Sequence, residues 1–127
     1  MFPHVTYANT TSKNAIELCQ RFNIAYEIFY VTRCYGTRHG KGWLAKETDQ
    51  LNIMANPHET NQFNDYQGEF RLAEIDYSSL NYALAVDAIY AQHCPKHLVV
   101  TCLDQRPDFT FDYERLNNTF NHIYESY

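Results

Sequence analysis

Few side chains in this chain are reactive, and their spacing is the first clue to what it can do. Four cysteines stand at 19, 34, 94 and 102 with no paired spacing, so neither a disulfide framework nor a zinc ribbon is implied. Thiol chemistry needs a thiolate, which a helix start or a neighbouring cation must stabilise. The candidates are Cys94, within His93-Cys94-Pro95-Lys96-His97, and Cys34, within Arg33-Cys34-Tyr35. The 93–97 run also holds metal-ligand types. A strand entry points neighbouring side chains apart, however, and no other pair is spaced to complete a zinc tetrahedron, so no metal is expected. The acids lie scattered, with no two placed for paired acid–base work.

A second cluster is cationic and aromatic: Arg33, Tyr35, Arg38, His39, Lys41 and Trp43, in a stretch holding three of the four glycines. It is no phosphate loop, because no glycine-rich turn precedes a Lys-Ser/Thr pair. Cations interleaved with rings would suit an acidic protein patch or a single nucleic-acid strand. The plainer reading is a solvated connection, with Trp43-Leu44 resuming a strand.

These residues sit on a chain of 127 residues, 45% hydrophobic and 16% aromatic, with eleven tyrosines and four glycines. That length and composition predict one packed domain over 1–127 and amphipathic aromatic surface. The net charge of −5 argues against general nucleic-acid or anionic-membrane binding. Met1-Phe2-Pro3-His4 leads directly into a strand, no apolar run is long, and the expectation is a cytoplasmic protein without signal peptide or membrane contact.

The elements follow from periodicity. Val5 and Tyr7 mark a short strand, and the polar corner from Asn9 to Ser12 ends it and offers caps for a helix. Ala15, Ile16, Leu18, Cys19 and Phe22 recur at steps of three and four, and Asn23 closes that helix. Residues 26–32 return as a second strand, which makes a βαβ unit with parallel strands. A run from 52 to 68 is polar and irregular, and Glu69 to Ile75 suggests a short strand. Ser78 or Ser79 caps a helix carrying Leu80, Ala83, Leu84, Val86, Ile89 and Tyr90, which His93-Cys94-Pro95 stops. Leu98 to Leu103 reads as a buried strand and 104–108 as a turn. Phe109-Thr110-Phe111 suggests a further strand. Asp112 would then cap a final helix bearing Leu116, Phe120, Ile123 and Tyr124.

The opening unit, with Phe22-Asn23-Ile24-Ala25-Tyr26-Glu27-Ile28 entering the second strand, resembles the glutaredoxins and small thioredoxins. The resemblance covers about 1–32 and 78–127. It implies an α/β fold of the βαβ…αββα kind, a central four-stranded mixed sheet flanked by helices, with 33–77 inserted as an irregular or β segment. In that family a Cys-x-x-Cys pair opens the first helix; here its positions fall on Ser12 and Ala15, so both sulfurs are missing. Pro95 takes the place of the family's cis-proline, which would set Cys94 beside Ser12. Asp112 takes the place of the acid that helps hold glutathione.

The resemblance therefore implies a redox-inactive glutaredoxin-like binding module. Its groove would be bounded by Thr11, Ser12 and Lys13, by Cys94 and Pro95 with an unpaired strand edge, and by Asp112 and Tyr113. Two helix starts would favour an anionic ligand, so the occupant would be a protein partner or a glutathione-like molecule, with no resident cofactor. One alternative is a glutathione-dependent monothiol oxidoreductase or transferase using Cys94 or Cys34. Another is a small inhibitor protein, of viral origin, acting through the 33–43 loop.

Overall fold

The structure, a computed structural model, describes residues 10–54, 63, 65, 66 and 68–127. The strand expected at Val5 to Tyr7 lies outside the described residues, as does most of the polar run at 52–68. What is described is a mixed α/β architecture. A parallel sheet of three strands carries the fold, with a separate antiparallel pair and two helices.

Helix α1 spans Lys13–Arg21. Its end is set by Asn23, whose φ of 52° is the left-handed conformation that asparagine tolerates better than most residues. There the Ile24 N–H reaches the Cys19 carbonyl at 2.9 Å and the Asn23 N–H the Gln20 carbonyl at 3.2 Å, which satisfies two end carbonyls. The chain then enters β1, Ile28–Arg33, a β-branched and aromatic run.

The expected loop after β1 contains a strand instead. Gly36–His39 forms β2 and pairs antiparallel with β3, Phe70–Ala73, while Trp43-Leu44 lies outside any strand. The pairing is fastened by Arg71, whose guanidinium grips the Glu47 carboxylate in a fork and the carbonyls of Gly40 and Gly42 at 2.7 and 2.8 Å. Gly42 has φ 109°, and a Cβ there would meet the Arg38 guanidinium at 2.6 Å, so glycine is required at that corner.

Helix α2, Tyr77–Ala88, is capped by Asp76 rather than by Ser78 or Ser79; the Asp76 carboxylate accepts from the Ser79 N–H. After the break at 93–95, β4, Lys96–Thr101, pairs parallel with β1 in the register Tyr30↔Leu98 and Thr32↔Val100. Leu98 and Val100 are fully buried, each contributing about 1.5–3 kcal/mol. They join Cys34, Tyr35, Tyr77, Leu103 and Phe111 in the core, with Leu80 and Phe120 packed against it.

The C-terminal part differs most from expectation. Phe109-Thr110-Phe111 forms no strand, and no helix follows Asp112. Residues Tyr113–Arg115 make one 3-10 turn, and His122–Glu125 is strand β5, parallel to β4. Asn121 starts it: its side-chain oxygen accepts from the Lys96 N–H at 2.8 Å, and its N–H donates to the Lys96 carbonyl at 2.7 Å. The described sheet therefore runs β1-β4-β5, all parallel, with β5 in place of the expected strand at 109–111 and closing helix.

One face of this sheet lies under α2. The other carries Phe29, His97 and His122 side by side across the three strands. The ring of His97 stacks on Phe29 at 4.5 Å and on His122 at 5.3 Å.

Candidate functional site

Leu80, Leu84, Asp87 and Ala91 recur at steps of four, three and four, which places an acid on the apolar side of α2. Asp87 is only 5% exposed, and a buried carboxylate must be hydrogen-bonded to be tolerated. It collects the Ser12 N–H at 2.6 Å, the Ser12 hydroxyl at 2.8 Å and the Tyr30 hydroxyl at 2.6 Å. An acid from α2 thus caps α1, whose start lacks a side-chain cap of its own. Burial, and then the bond to Asp87, push the Tyr30 phenol well above its ordinary value, so it stays a donor.

Ser12 is bonded to this carboxylate, and Cys94 feels its charge. Burial raises the Cys94 thiol; Lys96 lowers it and Asp87 raises it again. A thiol held protonated is a poor nucleophile. Lys13 covers the Tyr90 ring at 5.6 Å, and its N–H reaches Thr11 Oγ1 at 3.4 Å. The Pro95 carbonyl accepts from the Ile28 N–H at 3.0 Å, and Asn121 takes both backbone groups of Lys96. Strand β4 is therefore interior, paired on both sides, and the open backbone edge expected beside Pro95 is already filled.

Asp112 and Tyr113 do not join this end. The Asp112 N–H donates to the hydroxyl of Tyr77, in the first turn of α2, and the Tyr113 hydroxyl donates to Glu125. Tyr77 and Asp87 are ten residues apart on one helix, roughly 15 Å at 1.5 Å per residue. The expected groove is thereby divided between the two ends of α2, and its anion-binding helix start is occupied by Asp87.

The basic and aromatic cluster is divided as well. Tyr35 is a core residue whose hydroxyl donates to Gln105 at 2.7 Å, so its ring cannot meet a partner. Arg33 lies over the rings of Tyr35 and Phe70, Arg38 holds the Lys41 carbonyl at 3.0 Å, and His39 packs edge-on to Phe70. Cys34 is 0% exposed, and burial pushes its thiol up to about 11, which removes it as a catalytic nucleophile at neutral pH. Trp43 alone of this set keeps a large exposed apolar surface, at 60%.

Trp43 and Arg33 line a cleft of about 880 Å³ with Val31, Thr32, Leu44, Leu80 and Tyr82. Its wall includes three consecutive residues of β1. Side chains alternate between the faces of a strand, so consecutive residues share one cleft when the strand's edge faces it. No described strand pairs with β1 on that side. The N–H groups of Ile28 and Cys34 point to β4, so by alternation those of Phe29 and Val31 point outward. The opposite wall is the first half of α2, with Ser78, Ser79, Leu80 and Tyr82. Val31, 66% exposed, and Tyr82 are not among the residues that the sequence singles out, because the position of β1 at the edge of the described sheet depends on strand order.

Among the described residues no group of three or more His, Cys, Asp or Glu could hold a metal ion, and no helix is long and apolar enough to cross a membrane. Compared with family models, curated proteins and solved structures, the chain matches none.

Proposed function

We propose that this protein is a non-catalytic binding module that takes an extended segment of a protein partner onto the outer edge of β1. The segment's backbone pairs with the outward N–H and C=O groups of Phe29 and Val31. Apolar side chains at alternate positions enter the cleft between Trp43, Leu44, Leu80 and Tyr82. The observation that carries this reading is the coincidence of a strand edge without a partner among the described residues and an apolar cleft along it, lined by consecutive residues Val31, Thr32 and Arg33. Strand addition draws affinity from the backbone and selectivity from such pockets. Exposed edges are otherwise shielded in folded proteins, because they recruit other chains.

The thiol alternatives lack support at both candidates: Cys94 is kept protonated and Cys34 is inside the core. The inhibitor alternative shares Trp43 and Arg33 with the present reading but has no use for Tyr35, which lies in the core, or for Arg38, which grips its own loop.

The test is selection of phage-displayed random linear peptides against the full chain. The expected binders carry apolar residues at alternate positions, and Trp43→Ala weakens them by about tenfold or more. Val31→Pro removes an outward N–H without touching the β1–β4 ladder, and also abolishes binding, while Ile123→Pro on β5 does not. Failure to select binders, or binders indifferent to Val31→Pro, overturns the proposal. Binders that appear only when residues 1–9 are deleted would assign the edge to the chain's own first residues instead.

A further inference from the structure

We infer that Cys34 and Cys102 form an oxidisable pair, a modification site in which hydrogen peroxide joins the ends of β1 and β4 through a disulfide. This inference is independent of the binding reading.

The placement follows from the sheet register. The last ladder pair is Arg33↔Thr101, and the Cys34 N–H continues the ladder by reaching the Thr101 carbonyl at 3.0 Å. Cys34 and Cys102 are therefore the next residues on two adjacent parallel strands. Neighbouring strands lie about 4.8 Å apart, inside the Cα separation of about 4.4–6.8 Å that a disulfide spans. The Cys34 sulfur already points across, with Sγ 3.0 Å from the Cys102 carbonyl oxygen, and Cys102 packs against the core cluster that contains Cys34.

The two sulfurs have different environments. Cys34 is fully buried, while Cys102 is half-buried and gives an oxidant access. Cys102 also has φ 63°, a left-handed conformation that L residues adopt at a cost of about 1 kcal/mol or more. It ends the strand there, so a modest return toward extended backbone re-aims its side chain without breaking the β1–β4 pairs.

The chemistry balances. The Cys102 thiolate attacks one oxygen of hydrogen peroxide, the O–O bond breaks and hydroxide leaves, giving a sulfenic acid. The Cys34 sulfur then attacks the Cys102 sulfur, the S–O bond breaks, and the departing hydroxide takes the Cys34 proton as water. Two thiols and one peroxide become a disulfide and two waters. Because burial holds the Cys34 thiol at about 11, ring closure accelerates as pH rises, roughly tenfold per unit while the thiolate is the minor form.

The experiment treats the folded full chain with hydrogen peroxide, then alkylates free thiols in denaturant and maps the peptides by mass spectrometry without reductant. The expected product links the peptides bearing Cys34 and Cys102, leaves Cys19 and Cys94 alkylated, and reverts with dithiothreitol. In Cys102→Ser no bridge to Cys34 forms. Any of three results overturns the inference: Cys102 as sulfinic acid with Cys34 still reduced, Cys34 bridged instead to Cys19 or Cys94, or a 34–102 bridge that forms only after unfolding. The mapping on the unsubstituted chain decides the matter even if a variant fails to fold.

Discussion

The two ends of α2 each present a carboxylate, and they use it in opposite ways. At the C-terminal end Asp87 is buried, and the described groups aimed at it come from elsewhere in the chain: Ser12 from the start of α1 and Tyr30 from β1. At the N-terminal end Asp76 serves its own helix, accepting from Ser79, and the surface beside it opens into the cleft along β1. Helix starts and polar clusters attract functional readings, yet here the cluster that best fits a ligand site is closed by the protein's own acid. The open site lies where the backbone, rather than a reactive side chain, is left to be completed.

The largest effect expected from breaking this contrast is at Asp87. Asp87→Ala strands the Ser12 N–H, the Ser12 hydroxyl and the Tyr30 hydroxyl in a buried place, a loss of about 3 kcal/mol in urea unfolding. Peptide binding at the cleft should survive in the folded fraction. If Asp87→Ala leaves stability unchanged, the acid is not what holds α1 to α2.

Tyr30→Phe removes one arm of the same cluster and should cost about 1–2 kcal/mol at neutral pH. It also has a pH signature. The Tyr30 phenol is raised above its ordinary value of 10.0 by burial and by Asp87. Above pH 10 the unfolded chain ionises this phenol while the folded chain does not, so stability present below pH 10 falls as pH rises beyond it. The phenylalanine variant lacks that component. Its unfolding free energy should decline less steeply between pH 10 and 11 than that of the unsubstituted protein.

Much of this architecture is legible in the sequence, and the misreadings have physical causes. Helix α1 is announced by Ala15, Ile16 and Cys19 and ended by Asn23, and β4 by the unbroken apolar run at 98–100. Local pattern and tertiary packing agree there. The C-terminal part fails because Leu116, Phe120, Ile123 and Tyr124 happen to recur at helical spacing. The residues between them, Asn117, Asn118, Thr119 and Asn121, are poor helix formers. Asn121 is then held by both backbone groups of Lys96, which commits the chain to a strand. Strand β2 is hidden among glycines because the Arg71 bonds that stabilise its corner, to Gly40 and Gly42, come from 31 and 29 residues away. For the site, Trp43 and Arg33 are visible in the sequence, but the place of β1 at the edge of the described sheet is a property of strand order, which no local window carries.

At the cleft the expected effect is on binding and not on stability. Trp43 is mostly exposed, so Trp43→Ala should change the unfolding free energy in urea by no more than about 0.5 kcal/mol while weakening selected peptides about tenfold. A large stability loss would mean that the indole is a prop for the 40–47 corner, and the contrast between a closed and an open end of α2 would lose its second half.

The smallest effect should come from Cys94→Ser, at the closed end. The thiol is half-buried, and burial raises its pKa; Lys96 and Asp87 pull in opposite directions. At neutral pH it is a protonated thiol beside a carboxylate that already has its donors, and a hydroxyl of similar size can take its place. Stability should change by less than about 0.5 kcal/mol. Glutathione-dependent reduction of a small disulfide substrate should be negligible in the serine variant and in the unsubstituted protein alike, since exchange needs the thiolate that this environment disfavours. Measurable reduction that disappears with Cys94→Ser would show that the closed end performs chemistry after all. The assignment of function to the β1 edge would then have to yield to it.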